Sequence, residues 1–210
     1  MTSDPGIGSI PSVCADRRYI LYQSNRGGGL NIWRANPEGE NPTQLTHGGL
    51  DQYPSCAPDG RWLTFDSYRA GKRQVWRIAI DGGDPTRLID GTSLNASISP
   101  NGEWIACADR SDETQSTKLG VYPATGGKPL KILMLPATAS FMPFKWTADS
   151  CSVTYINTRA GVSNIWAQPI DGGPAKQLTD FTSDSIFTYA WSKDRKQLAL
   201  VEGLKRKTRY

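Results

Sequence analysis

The sequence predicts an all-β protein: a β-propeller of four-stranded antiparallel blades, with four full blades plus part of a fifth. Three observations predict it. The 210 residues include 21 glycines, 14 prolines, seven tryptophans, eight tyrosines and five phenylalanines, an inventory suited to short strands and tight turns rather than a helical bundle. The chain also repeats itself. PSVCAD (Pro11–Asp16), PSCAPDG (Pro54–Gly60), SISPNG (Ser97–Gly102), KWTAD (Lys145–Asp149) and AWSKD (Ala190–Asp194) are copies of one segment. Their anchors, Asp16, Asp59, Asn101, Asp149 and Asp194, are 43, 42, 48 and 45 residues apart, a period that means a repeat architecture. Finally, every anchor sits in the same apolar pattern.

Within one repeat, the residue three before the anchor is apolar (Val13, Cys56, Ile98, Trp146, Trp191) and belongs to the innermost strand. The anchor is the turn of a hairpin. Asp-Gly at Asp59 and Asn-Gly at Asn101 suit it, because Asp and Asn tolerate positive φ and bond their own backbone. Apolar residues return four and six positions later, as Ile20 and Tyr22, Leu63 and Phe65, Ile105 and Cys107, Val153 and Tyr155, and Leu198 and Leu200. A period of two marks a second strand with one buried face. The third strand is NIW at Asn31–Trp33, QVW at Gln74–Trp76, GVY at Gly120–Tyr122, where tyrosine takes the place of tryptophan, and NIW at Asn164–Trp166. A second turn follows in PEGE, IDGGDP, ATGGKP and IDGGPA. A short outer strand around Leu45, Leu88, Ile132 and Leu178 completes the blade.

This phasing divides the chain into an N-terminal segment at 1–8, a propeller at 9–203 and a basic tail at 204–210. The blades span about 9–49, 50–90, 91–133, 134–181 and, as a partial blade, 182–203. A blade hides its faces only between neighbours, and propellers typically have about four to eight blades. Four and a half favours an open piece of a larger ring over a compact closed one.

Charge narrows the function. The formal net charge is +4, but four of the 24 basic residues, Lys205, Arg206, Lys207 and Arg209, lie in the last six positions, and the rest balance the 20 acidic ones. The folded body therefore has no excess charge with which to release phosphate counterions, and nucleic acid is not an expected partner. Met1–Gly8 has neither the basic end nor the apolar run of a secretory signal, and no stretch approaches the roughly 18 apolar residues of a membrane helix, so this segment is not expected to contact membrane. Cys14, Cys56, Cys107 and Cys151 include no CxxC pair, and the chain has one histidine, so no metal site is expected. The cysteines read as small buried hydrophobes rather than disulfides.

The consensus of the copies, PxxSPDGxxIxFxSxRxGxxxIWxxxxDGGxxxxLT, resembles the WD40-like (PD40) repeats of the TolB-type β-propeller family. Residues 54–88 match it almost throughout, and residues 155–179 match its second half. The stretch GVSNIWAQPIDGGPAKQLTDFTSDSIFTYAWSKDRKQLALVEG looks more particularly like the C-terminal sensor propeller of bacterial serine/threonine protein kinases. That resemblance implies a sensor or protein-interaction role on the far side of a membrane, an extracytoplasmic location; without it the compartment would be cytoplasmic. Two other contexts fit the same repeats: an accessory gating propeller of a prolyl-oligopeptidase-like peptidase, and a free-standing TolB-like periplasmic scaffold.

Catalysis by these residues is not expected. No GxSxG elbow presents a nucleophile to His47, and neither a GxGxxG loop nor HRD and DFG motifs are present, so no cofactor is expected either. Arginine recurs seven residues before the third-strand tryptophan, as Arg26, Arg69 and Arg159; a residue repeated at one turn of each blade is expected to satisfy local carbonyls rather than a ligand. Asp16, Asp59, Asn101, Asp149 and Asp194 are likewise expected to be structural turn residues. Ligand candidates come from the loops that join each outer strand to the next inner strand and line one mouth of the channel: Asp51, Gln52, Tyr53, Asn95, Phe141, Asp184 and Phe187. Mixed carboxylate, amide and aromatic groups suit a protein or peptide, or a small polar ligand. The reading is a non-catalytic binding module. An open stack of blades is expected to melt at low temperature or over a broad range, whereas a sharp two-state calorimetric melt at high temperature would favour a closed ring.

Overall fold

A computed structural model describes residues 8–110, 118–140, 143–192 and 196–203. Blade 1 comprises β1 (Gly8–Val13), β2 (Ile20–Ser24), β3 (Asn31–Ala35) and β4 (Thr43–Gln44); blade 2 comprises β5 (Asp51–Cys56), β6 (Trp62–Ser67), β7 (Gln74–Ala79) and β8 (Thr86–Arg87). Blade 3 comprises β9 (Ser93–Ile98), β10 (Trp104–Asp109), β11 (Lys118–Pro123) and β12 (Lys131–Met134); blade 4 comprises β13 (Lys145–Trp146), β14 (Ser152–Arg159), β15 (Val162–Pro169) and β16 (Lys176–Gln177). A fifth, two-stranded sheet holds β17 (Ser185–Trp191) and β18 (Leu198–Gly203). Within each sheet the strands are antiparallel and in sequence order, as four-stranded propeller blades require.

The blades pack in series: β2 and β3 lie on β5, β6 and β7 on β9, β9 on β13, and β15 on β17. One apolar cluster fills each junction. Leu21, Ile32 and Leu45 of blade 1 meet Leu63, Phe65 and Ile78 of blade 2; Val75 and Leu88 meet Ile105 and Cys107; Leu119 and Val121 meet Trp146 and Tyr155; Ile165 meets Ile186 and Tyr189. The second strand therefore has two buried faces, not the one expected from its period. Thr64, Ala106 and Thr154, which alternate with the apolar pairs, are fully buried against the following blade. Among the described residues, each terminal sheet leaves a face open. Val13 is 62% exposed where its counterpart Trp146 is 1%, and Val201 on β18 is 57% exposed.

The third blade departs from the tryptophan pattern in a way the sequence misplaces. Phe65 pairs with Trp76, but the corresponding Cys107 pairs with Gly120, and Tyr122 pairs with Ile105 two residues further along. Gly120 thus stands in the tryptophan position. A Cβ there would come 2.6 Å from Cε2 of Tyr122, so the tyrosine ring leans back over the glycine. Its hydroxyl donates to Asp109 Oδ2 at 2.5 Å, and burial together with that carboxylate pushes the phenol well above its usual range.

In the first hairpin of each blade the anchor side chain holds the turn. Asp59 Oδ1 accepts the Arg61 N–H at 3.0 Å, Asn101 Oδ1 that of Glu103 at 3.1 Å, Asp149 Oδ1 that of Cys151 at 2.9 Å and Asp16 Oδ1 that of Arg18 at 3.1 Å. The Thr147 hydroxyl, donating to Oδ1 at 2.6 Å, and then the Cys151 N–H hold the Asp149 carboxyl below the usual range; for Asp16 the Arg18 side chain and then its N–H do the same. Asp194 lies outside the described residues. Positive φ falls on the residue after the anchor: Arg17 (60°), Gly60 (67°), Gly102 (75°) and Ser150 (60°).

The cysteine expectation needs correction. Cys14 and Cys56 form a disulfide between the inner-strand ends of blades 1 and 2, Cys107 is buried and free, and Cys151 is exposed. Reducing this bridge, or making Cys56→Ser, is expected to lower unfolding stability by about 2–4 kcal/mol in a urea titration, since it opens a large loop in the unfolded chain. Arg17→Gly is expected to raise stability by about 1 kcal/mol in the same titration, because exposed Arg17 holds a left-handed conformation that glycine adopts freely.

Candidate functional site

The loops entering each inner strand and the hairpins joining second to third strands lie at one end of the blades. Here a bulge recurs. In β5, Tyr53 and Pro54 oppose the single residue Phe65, and Tyr53 has φ 55°; in β9, Asn95 and Ala96 oppose Cys107, and Asn95 has φ 57°; β1 has its bulge at Ile10, φ 55°. A bulge frees a backbone N–H from the ladder. The second strand of the preceding blade captures it: Tyr53 N–H donates to Gln23 Oε1 at 3.1 Å, and Asn95 N–H donates to Asp66 Oδ2 at 2.9 Å and Oδ1 at 3.1 Å.

The junction of blades 2 and 3 thereby becomes a polar cluster. Arg73 Nη2 donates to Asp66 Oδ2 at 2.8 Å, and its guanidinium sits 4.9 Å from the Tyr53 ring. Gln52 pairs with Asp66 in the strand ladder. The side-chain amide of Asn95 is buried and bonds to none of the described residues. Burial pushes the Asp66 carboxyl up to about 7, with the Arg73 charge and the Asn95 N–H restraining the rise. Three of the sequence candidates, Gln52, Tyr53 and Asn95, thus meet around two residues that sequence reasoning missed. Asp66 carried a signal: a lone carboxylate at a strand position where other blades have Gln23, Ala108, Ile156 and Val201.

The remaining candidates lie apart. Asp51 is fully buried, with Arg69 Nη2 donating to its Oδ2 at 2.6 Å and the Gly48 N–H at 3.3 Å. Asp184 is half-buried at φ 66°; its Oδ2 accepts the Ser183 hydroxyl at 3.0 Å and its carbonyl accepts the Ser163 N–H at 3.0 Å. Phe187, the bulge residue of β17, is 53% exposed. Phe141 lies outside the described residues. His47 Nδ1 is 3.1 Å from Gln44 Nε2. Among the described residues, no group of three His, Cys, Asp or Glu side chains is placed to hold a metal ion.

The recurrent arginines do something other than bond carbonyls. Arg26 lies 5.4 Å from the Tyr22 ring and 4.7 Å from Trp33, Arg69 lies 5.3 Å from Phe65 and 5.1 Å from Trp76, and Arg159 lies 5.2 Å from Trp166. Each guanidinium covers the aromatic pair, or the tryptophan, of its own blade.

Serially packed antiparallel blades with bulged inner strands define a β-propeller module. The chain belongs to the TolB β-propeller (PD40) family, whose model, "TolB beta propeller domain", matches residues 1–128. It is 28% identical over 104 residues to tricorn protease homolog 1 of Streptomyces coelicolor, a match covering 48% of this chain and 9% of that protein. The chain therefore spans under a tenth of the length of that curated relative. Among solved structures it is similar to a putative TolB from Agrobacterium tumefaciens (TM-score 0.70, 19% identity, 84% of this chain and 68% of that one). It is also similar to the β-propeller domain of the trilobed protease from Pyrococcus furiosus, described as having an open velcro topology (TM-score 0.63, 10% identity, 95% and 69%). At these identities the two structures speak to the fold alone.

Asp66 gives this end of the molecule a pH dependence. Its folded value is raised above the ordinary 3.8, so its share of stability is fully present below that value and is lost as pH rises through about 7. The urea midpoint is expected to fall between about pH 4 and about pH 7 and to level off above that, and Asp66→Asn is expected to flatten that fall; equal slopes in both proteins would remove Asp66 as its source.

Proposed function

We propose that this chain is a non-catalytic binding propeller that meets a protein or peptide segment, or a small polar ligand, at the loop end of its blades. The observation that carries the reading is the bulge series. Three blades present a residue at the same strained position, and the residue differs each time: Ile10, Tyr53 and Asn95. A repeated backbone with varied side chains is what a recognition surface on a repeat scaffold needs. Exposed Phe187 and half-buried Asp184, Gln52 and Tyr53 extend that surface, and Phe141 is placed with them by sequence. Asp51 supports it from below through Arg69.

Besides a free-standing TolB-like scaffold, two contexts suit such a module. Likeness to tricorn protease homolog 1 supports the accessory propeller of a larger peptidase. The repeat wording of residues 161–203 supports the sensor propeller of a receptor-type serine/threonine kinase. A hydrolase domain with a GxSxG elbow beside this segment in its gene would decide for the first, and a kinase domain followed by a membrane helix for the second. The Cys14–Cys56 bridge supports an oxidising, extracytoplasmic compartment.

Panning a random peptide library against the chain tests the site. Selected peptides are expected to lose at least about tenfold in affinity on Tyr53→Ala and Phe187→Ala and to be unaffected by Arg61→Ala at the opposite end of the blades. Peptides that bind all three variants equally, or a library that yields none, would overturn the reading.

A further inference from the structure

Blade 4 repeats blade 2 at a constant offset of 90 residues, so each side chain of one has a counterpart in the other. Phe65 corresponds to Tyr155, Ser67 to Asn157, Arg69 to Arg159, and Trp76 to Trp166. In blade 2 the arginine is engaged by three kinds of partner. Its guanidinium covers Phe65 and Trp76, its Nε donates to Ser67 Oγ at 2.9 Å, and its Nη2 donates to the Asp51 carboxylate at 2.6 Å. Blade 2 thus carries its own anion on this platform.

Blade 4 keeps the platform and omits the anion. Arg159 lies 5.2 Å from the Trp166 ring and makes no hydrogen bond or ion pair with the described residues. The counterpart of Asp51 in the sequence is Phe141, so this blade supplies no carboxylate at that position. The serine that receives Nε in blade 2, and at 3.4 Å from Arg26 in blade 1, is replaced by Asn157. Asn157 is 2% exposed; its Oδ1 accepts the Thr138 hydroxyl at 2.6 Å, while its Nδ2 has no partner among the described residues. Arg159, Asn157 and Trp166 line a cavity of about 370 Å³ together with Asn164, Gln177, Phe181 and Thr182. The acceptor oxygen of Asn164 is already taken by the Thr179 hydroxyl and the Phe181 N–H.

What Arg159 and Asn157 leave unmatched in the cavity is a set of donors: the guanidinium N–H groups and the buried Asn157 NH2. Trp166 and Phe181 give it apolar walls. A guanidinium stacked on tryptophan is held in plane, with its edge presented to a bidentate acceptor. We propose that this cavity binds a carboxylate attached to an apolar side chain, as carried by a peptide, with Arg159 and Asn157 Nδ2 taking the position relative to the ligand that Arg69 takes toward Asp51. The volume lies in the range of small-ligand pockets, roughly 300–1,000 Å³. The proposal extends the peptide-binding reading to a second place, at the outer side of blade 4, and does not involve Tyr53, Asn95 or Phe187.

Isothermal titration of the whole chain with three acetylated dipeptides tests it: acetyl-Gly-Phe with a free C-terminus, the same dipeptide amidated, and acetyl-Phe-Asp-amide. At least one of the two acids is expected to bind, and the amidated Gly-Phe at least about tenfold more weakly. Binding confined to the first acid identifies a peptide C-terminus, and equal binding of both acids an acidic or terminal carboxylate alike. Arg159→Gln, whose melting should stay close to wild type because the exposed Arg159 side chain makes no hydrogen bond or ion pair with the described residues and only stacks on Trp166, is expected to weaken the acids about tenfold and leave the amide unchanged. Acid and amide binding alike, an unaffected Arg159→Gln, or no heat from any dipeptide up to about 10 mM would overturn the proposal. Peptides selected at the loop end should ignore Arg159→Gln, so this site can fail while the loop-end reading stands, and the reverse.

Discussion

In blades 2 to 4 the second strand touches a neighbouring sheet on both sides, and it has no route to water except at its ends. From that constraint follows most of what the chain contains. Apolar residues such as Leu63 and Phe65 pack backward onto one blade, and Thr64, Ala106 and Thr154 pack forward onto the next. Several polar groups caught between sheets find partners across the junction, whereas Thr64 Oγ1 and the Tyr155 hydroxyl bond to none of the described residues. The Trp146 indole donates to the Ser97 carbonyl at 2.9 Å, and the Tyr189 hydroxyl to Thr154 Oγ1 at 2.8 Å. The N–H groups released by the inner-strand bulges are accepted from the preceding blade by Gln23 and Asp66. Ala108 and Ile156 stand at the same strand position in blades 3 and 4 and offer no acceptor, so that bond belongs to the first two junctions.

The blades differ most in how each one surrounds the same repeated side chain. The arginine over the third-strand tryptophan is shared by blades 1, 2 and 4, yet its surroundings differ each time: Ser24 in blade 1, Ser67 and Asp51 in blade 2, Asn157 and a cavity in blade 4. The blade that saturates its arginine is stabilised by it, and the blade that does not is left with directed donors. The buried Asp66–Arg73 pair shows the same logic in the core, where burial disfavours the carboxylate of one repeat and an N–H from the next repeat and a guanidinium from its own hairpin offset part of that cost.

The blade architecture was legible because each of its signals is local: an Asx turn, a period of two, a second turn with paired glycines. Five phased copies made those weak signals agree. What escaped was non-local. Cys14 and Cys56 lie 42 residues apart, one repeat, which places them on adjacent inner strands; Cys107 and Cys151 are similarly spaced and remain free, so the period alone does not decide a pairing. Tyr122 looked like a tryptophan replacement because the triplet pattern says so, but the ladder places Gly120 there and lets the tyrosine ring reach the same volume from two residues away. Of the candidate site, the loops were readable and the partners were not. Asp66 and Arg73 come together across a hairpin, and nothing in the sequence says that Tyr53 and Asn95 would meet over them.

The bridge between the first two inner strands has a bearing on order of assembly. Both of its cysteines lie within the first 56 residues, and the junction it pins is filled by blade 1 and the first three strands of blade 2. Once both sheets are made, the bridge closes them into one covalent unit, and blade 3 then packs on a face of blade 2 that is already fixed.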